Sequence, residues 1–423
     1  MRLGIARSAP RSSSAQQASV VRVLRWIGKG LLASVAVLII VVLGFYVADP
    51  VVIRRMITGP AMGAVDQTER NQPQEAVSGT EAAIATATNT TIDPAAIAAA
   101  ERYANDTQSV ALLIWHRGAL RYEKYWPGHD RNTRTDPFSA HKSVVGLLMG
   151  AAIQDGLIKS VDEPAANYLP EWRHDSRRDI TIRDLLQMSS GLEIVRFGTW
   201  ASFQLTLGSD ITDTALSVPA EHPHGSEFQY LNVNAQLLGI ILQRAAGKRY
   251  AQYLSERLWG RIGAPTAYVW LDREGGMAHT FCCIYTTARG WLQVGLLLKN
   301  QGRFQDDQVV PAQWIADMVT PAATNPNYGY QIWLGSPPGQ ERRYNDKTIK
   351  AYHSEPFVAD DVVFIDGFGG QRVYVVPSQD LVIVRTGKVV QDLNALAKNW
   401  DDARIPNAIL RGIVPVPATD VAP

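Results

Sequence analysis

Nineteen consecutive residues from Gly30 to Ala48, GLLASVAVLIIVVLGFYVA, carry no charged side chain. Coiled as a helix at about 1.5 Å per residue, the run reaches about 28 Å, close to the thickness of a bilayer's hydrocarbon core. Arg2, Arg7, Arg11, Arg22, Arg25 and Lys29 precede it, with no acidic residue among them. The positive-inside bias then keeps the basic segment in the cytoplasm and carries everything after Asp49 across, despite Arg54 and Arg55 on the far side. The expectation is a single-pass anchor in the cell (inner) membrane with the rest of the chain on the extracytoplasmic, periplasmic side. A cleaved signal peptide is the competing reading. Tyr46 to Ala48 offers a small residue at only one of the two cleavage positions, and the apolar run is long for such a peptide.

The remainder of the 423 residues has the composition of a globular protein, 46% hydrophobic and 19% charged, which excludes both a disordered acidic chain and an all-membrane one. A net charge of +1 removes the electrostatic case for a nucleic-acid partner. The only cysteines, Cys282 and Cys283, are adjacent, so they provide no framework of bridges and are read as two small buried residues. Residues 58–91 are rich in Ala, Thr, Gln, Gly and Pro without a steady apolar period, as in a tether. The chain therefore divides into a basic tail (1–29), an apolar span (30–48), a linker (49–92), one folded domain (93–400) and a C-terminal tail (401–423).

The folded part opens with a helix from Asp93 with Pro94 in its first turn, then a hairpin of VALLIWH and LRYEKYW about Arg117 and Gly118. Helical periods follow in the segment after Phe138, closing at Gly156, and before Gly247, in ARGWLQVGLLLKNQG, and after Pro311. Thr181 and Asp184 form a capping-box-like start. The end returns to strands: VVFID, QRVYVVP and DLVIVRT. Strands at both ends with helices between predict an α/β (α+β) architecture: one mainly antiparallel sheet built from both ends of the chain, flanked by helices, with a helical insertion.

Ser139 and Lys142 stand three apart at a helix start, which puts both side chains on one face. The positive end of the helix dipole and the apolar neighbours Phe138, Val144 and Val145 disfavour an ammonium there, so a neutral Lys142 could take the Ser139 proton during attack on a carbonyl. The bland alternative is a helix-capping serine with an unrelated lysine. Tyr230 and Asn232, just before a long amphipathic helix, supply a phenol able to relay a proton and an amide able to hold a substrate carbonyl. Tyr103 and Asn105 repeat that spacing inside the first helix and are read as structural. Gly367, Phe368 and Gly369 lie between two strands, where glycine lets backbone approach closely and an N–H could join that of Ser139 in an oxyanion hole. The competing reading there is a glycine-rich hairpin turn. The histidines are scattered, and no helix carries a metal-binding pair, so no metal and no cofactor is expected.

Serine-x-x-lysine, then tyrosine-x-asparagine, then a glycine-containing strand resembles the serine β-lactamase and penicillin-binding family, in the style of class C β-lactamases, family VIII esterases and 6-aminohexanoate-dimer hydrolases. The stretches ITIRDLLQMSSGLE, YLNVNAQLLGIILQRAAGKRYAQYLSERLWGRIGAP and ARGWLQVGLLLKNQGRFQDDQVVPAQWI look like further landmarks of it. The resemblance implies a β-lactamase/transpeptidase-like fold and an acyl-enzyme serine hydrolase, with Ser139 as nucleophile, Lys142 as base, Tyr230 as proton relay and Asn232 as a substrate contact. The family's Lys-Thr-Gly element is replaced by Ile365, Asp366 and Gly367, with Phe368 N–H as the second oxyanion donor; Lys347 and Thr348 lack the completing glycine. A substrate carboxylate would lose its cation and meet Asp366, unless Arg372 or Lys347 substitutes. A small ester or amide is the expected substrate. A membrane-tethered penicillin-binding or sensor domain with little turnover is the alternative.

Overall fold

The structure is a computed structural model that describes residues 13–60, 63–196, 198–339, 341–344, 350–389 and 400–415. Arg2, Arg7 and Arg11 of the basic tail, Lys347 with Thr348, and the last eight residues of the C-terminal tail lie outside the described residues. Two compact units are present, Met1–Ile57 and Thr58–Pro423.

The first unit is dominated by helix α1, Ser13–Ala48. Within it, Arg22–Gly44 forms a stretch of 23 residues long and apolar enough to cross a membrane. Its large apolar side chains, Trp26, Leu32, Ile40 and their neighbours, are exposed along the whole run.

In the second unit, the stretch read as a tether is packed rather than free. Strand β1, Gln74–Val77, pairs antiparallel with a strand from the middle of the chain, Ala267–Trp270, and Val65 and Val77 are buried. Those few apolar residues among Gln, Ala and Thr lack a period, and only the partner strand gives them a place. Helix α2, Pro94–Asp106, starts at Asp93, whose carboxylate accepts the Ala95 N–H. Strands β2 (Ser109–His116) and β3 (Ala119–Tyr125) form the expected hairpin.

Helix α3 is His141–Gln154, and Thr181 with Asp184 closes a complete capping box on the short helix Ile182–Leu186. Helix α4, Asn232–Ala246, ends on Gly247 in the left-handed region, and helix α5 is Ala288–Lys299. Strands β4 (Trp333–Leu334), β5 (Val363–Gly367), β6 (Gln371–Val376) and β7 (Leu381–Gly387) complete a six-stranded sheet of order β3-β2-β7-β6-β5-β4, antiparallel at every pairing. The N-terminal hairpin thus joins the C-terminal strands through β2 and β7.

Successive residues of these strands enter two cores. Leu113, Val373, Val382 and Val384 face one core with α3 and α5; Leu112, Ile114, Phe364, Tyr374 and Ile383 face the other with Ile97 of α2. Both faces being covered explains why the strands read as unbroken apolar runs. Helix α5 comes close because residue 295 is glycine: a Cβ there would lie 2.6 Å from a Val382 methyl. The second core is closed by helix α6, Arg404–Arg411, with Ile405 and Ile409 fully buried, so residues 404–411 belong to the domain and not to a tail.

Candidate active site

Ser139 lies in a short 3₁₀ turn, Phe138–Ala140, that feeds into α3. Phe138 takes a left-handed backbone, φ +48°, and the Asp136 carboxylate accepts its N–H at 2.9 Å. That strain, held by a local bond just ahead of the serine, is typical of a functional turn. Burial pushes the Asp136 carboxyl up to about 6.

One helical turn on, Lys142 is 1% exposed. Its Nζ lies 2.8 Å from Ser139 Oγ, 2.9 Å from Asn232 Oδ1 and 2.8 Å from the Phe281 carbonyl. Burial pulls the pKa down to about 7, against the upward pull of Asp366. A neutral amine has two N–H donors and one lone pair. Asn232 Oδ1 and Phe281 O can only accept, so they take both donors. Ser139 alone can donate as well as accept, so the neutral amine can take its proton, whereas the ammonium form donates to Ser139 Oγ.

Tyr230 lies beside this pair, with its hydroxyl near Ser139 and its ring centroid 4.9 Å from Lys142 Nζ. Burial, then the Asp366 charge, raise its pKa, so it is a neutral phenol at physiological pH. Its N–H donates to Tyr344 O at 2.8 Å, and the two rings stand edge to face at 5.4 Å. Asn232, expected to face substrate, is the first residue of α4 and commits its oxygen to Lys142.

The end of β5 closes on the Ser139 turn: a Cβ on Gly367 would lie 1.9 Å from Pro137 O, so only glycine fits. Beside it, Phe368 packs edge to face on Phe138 at 5.7 Å and is 40% exposed. Gly369 points elsewhere, with its carbonyl on Arg385 and its Cα against Val389. Ser139, Lys142, Tyr230, Asn232 and the Gly367–Phe368 peptide are therefore together, and Gly369 shapes the turn behind them.

Asp366 does not confront the site with a bare charge, as the sequence suggests. Its carboxylate is buried, paired with Arg342 at 2.8 Å and with Arg372, and bonded by the Tyr344 hydroxyl. Asp402 holds the same two arginines at 2.7 and 2.6 Å. Arg372 faces Asp366 across the hairpin, a pairing implied by strand register, whereas Arg342 and Asp402 come from distant segments that no local pattern connects. Phe281 acts through a backbone carbonyl and has no sequence signal at all.

Cys282 and Cys283, expected as separate buried thiols, are buried but joined as a disulfide. A left-handed Cys283, φ +72°, places adjacent side chains on one side. The pair follows Phe281 directly, next to the carbonyl that binds Lys142. The Tyr103 and Asn105 pair is structural, with Asn105 Oδ1 accepting the Trp126 indole N–H. Among the described residues, no group of three His, Cys, Asp or Glu side chains is placed to hold a metal ion.

Residues 95–402 match the family model described as Beta-lactamase. A 6-aminohexanoate-dimer hydrolase of Paenarthrobacter ureafaciens is 25% identical over 52% of this chain and 59% of its own length. Protein Flp of Staphylococcus aureus is 26% identical over 29% of this chain and 26% of its own. The chain thus spans less than two thirds of either relative. Among solved structures, a penicillin-binding protein homologue from Caulobacter crescentus shares the fold, with a TM-score of 0.56 at 14% identity over 77% of this chain and 99% of that one. A Bacillus anthracis protein provisionally assigned as a 6-aminohexanoate-dimer hydrolase does so with a TM-score of 0.64 at 20% identity over 79% and 91%. The chain belongs to the β-lactamase family, within the serine β-lactamase and penicillin-binding group that its motifs resemble.

Proposed function

We propose that the protein is a serine hydrolase that cleaves small, uncharged esters or amides through an acyl-enzyme. The observation that carries this reading is the buried Lys142 amine 2.8 Å from Ser139 Oγ, with its pKa pulled down to about 7. Ser139 Oγ attacks the substrate carbonyl while its proton passes to Lys142 Nζ. The N–H groups of Ser139 and Phe368 hold the oxyanion. As the tetrahedral intermediate collapses, the proton leaves through the Tyr230 hydroxyl to the departing alkoxide or amine. Water then attacks the ester carbonyl as it gives a proton to the again-neutral Lys142, and that proton passes to Ser139 Oγ as the acyl group leaves as the acid.

The substrate class follows from charge and shape. Phe138 and Tyr230 neighbour Ser139, with Phe368 and Tyr344 packed edge to face on them, while Arg342 and Arg372 are already neutralised by Asp366 and Asp402. A substrate carboxylate entering there would lose water without gaining a matching cation. The name of one relative, a hydrolase of an aminohexanoate dimer, agrees with an amide as the bond cleaved, although that dimer carries charged ends. Helix α1 is proposed as an uncleaved anchor with the hydrolase on the extracytoplasmic side.

The test is turnover by the purified full chain of p-nitrophenyl acetate against nitrocefin, alongside fluorophosphonate labelling. Rapid ester turnover, slow nitrocefin turnover and loss of both in Ser139→Ala are expected. Stable labelling without ester turnover would replace the hydrolase by a sensor.

A further inference from the structure

We infer that Arg372 is a positioning residue for the oxyanion hole, acting by holding the Gly367–Phe368 peptide in the orientation that aims the Phe368 N–H at the Ser139 turn. The inference rests on the reading of Ser139 as nucleophile.

The carbonyl and N–H of a trans peptide point in opposite directions. Arg372 Nη1 donates to Gly367 O at 2.7 Å. Drawing that carbonyl inward, toward β6, turns the N–H of Phe368 outward, on the side where Gly367 abuts Pro137 and Phe368 abuts Phe138. Among the described residues the Phe368 N–H takes part in no hydrogen bond, so it is available to a ligand. The next two carbonyls are drawn inward as well. Gln371 Nε2 reaches Phe368 O at 3.4 Å, and Arg385 Nη1 donates to Gly369 O at 2.9 Å. Three successive carbonyls, of Gly367, Phe368 and Gly369, thus accept from side chains of β6 and β7.

Arg372 is itself fixed. Its Nε donates to Asp402 Oδ1 at 2.6 Å, and Asp366 pairs with its Nη1. Among the described residues the buried cluster contains Arg342, Arg372 and Arg385 against Asp366 and Asp402, an excess of one positive charge behind the peptide. A guanidinium donating to Gly367 O also polarises that peptide and strengthens its N–H as a donor. The arginines therefore act on the oxyanion through a backbone amide, not by touching substrate.

The test compares Ser139-dependent turnover of p-nitrophenyl acetate with that of its thionoester, whose sulfur accepts hydrogen bonds poorly and gains little from an oxyanion hole. Two variants of the full chain are used: Arg372→Met, and Arg372→Met with Asp402→Asn, which restores the charge balance. The ratio of the two kcat values does not depend on how much of a variant is folded. Oxoester kcat should fall about 100-fold, the order of one lost oxyanion donor, with thionoester kcat within a few-fold and KM little changed. An unchanged ratio, whether both rates fall together or neither falls, overturns the inference. A wild-type protein that turns over neither substrate through Ser139 instead overturns the hydrolase reading.

Discussion

Replacing Lys142 by methionine removes a buried amine whose pKa is depressed by its surroundings, and the two consequences have opposite signs. The folded-state pKa is about 7, against an ordinary value of 10.5. Unfolding therefore takes up a proton between about pH 7 and pH 10.5, and the lysine destabilises the fold progressively as pH falls through that window, with no further change below it. Linkage gives a cost of about 4 kcal/mol at pH 7 and about 1 kcal/mol at pH 9.5. Lys142→Met removes this cost. It also removes the three hydrogen bonds of Nζ, worth about 1 kcal/mol each, and leaves two acceptors to find water. The net gain at pH 7 should be about 1 kcal/mol at most, and the balance should be about 3 kcal/mol less favourable to the variant at pH 9.5. Chemical denaturation of both proteins at the two pH values reads the difference directly. Ester turnover should fall by about 10²–10⁴-fold, the range for a lost general base. A variant less stable than wild type at pH 7, with the same pH dependence, would refute burial as the cause of a neutral Lys142. Undiminished turnover would move the base elsewhere, with Tyr230 the first alternative.

Tyr230→Phe should slow amide hydrolysis more than p-nitrophenyl ester hydrolysis, because a nitrophenolate leaves without a proton and an amine does not; equal losses on both would remove the relay role. Gly367→Ala should destabilise the domain by about 1–3 kcal/mol, the range for overpacking, because its Cβ would meet Pro137 O at 1.9 Å; thermal melting and ester turnover should fall together. An alkaline phosphatase reporter fused after residue 57 should be active if α1 exports the domain C-terminal to it; an active cytoplasmic reporter at that junction would reverse the topology.

Long, locally coded elements are legible in the sequence. Asp93 before Pro94, the Thr181 and Asp184 box, Gly247 at a helix end and the unbroken apolar strands each state their conformation within a few residues. The site's central pair is legible for the same reason, since Ser139 and Lys142 are one turn apart. What escapes depends on distant segments. Strand β1 and helix α6 have too little internal pattern to announce themselves and are held by partners far along the chain. The compensation of Asp366 by Arg342, Arg372 and Tyr344, and the Lys142 bond to the Phe281 carbonyl, arise from the fold's closure, so a charge that looks unopposed in sequence is paired in space. The disulfide of Cys282 and Cys283 needs a left-handed residue that adjacent cysteines alone do not foretell.

The most direct measurement is the rate of covalent modification of Ser139 by a fluorophosphonate from pH 5 to pH 9, with the modified peptide identified by mass spectrometry. If Lys142 acts as a neutral base with a pKa of about 7, the rate should be level above pH 8 and fall about tenfold per pH unit below 6. In Lys142→Met the rate should be low and nearly independent of pH. A wild-type rate that is flat across this range, or a label on a residue other than Ser139, would contradict the account.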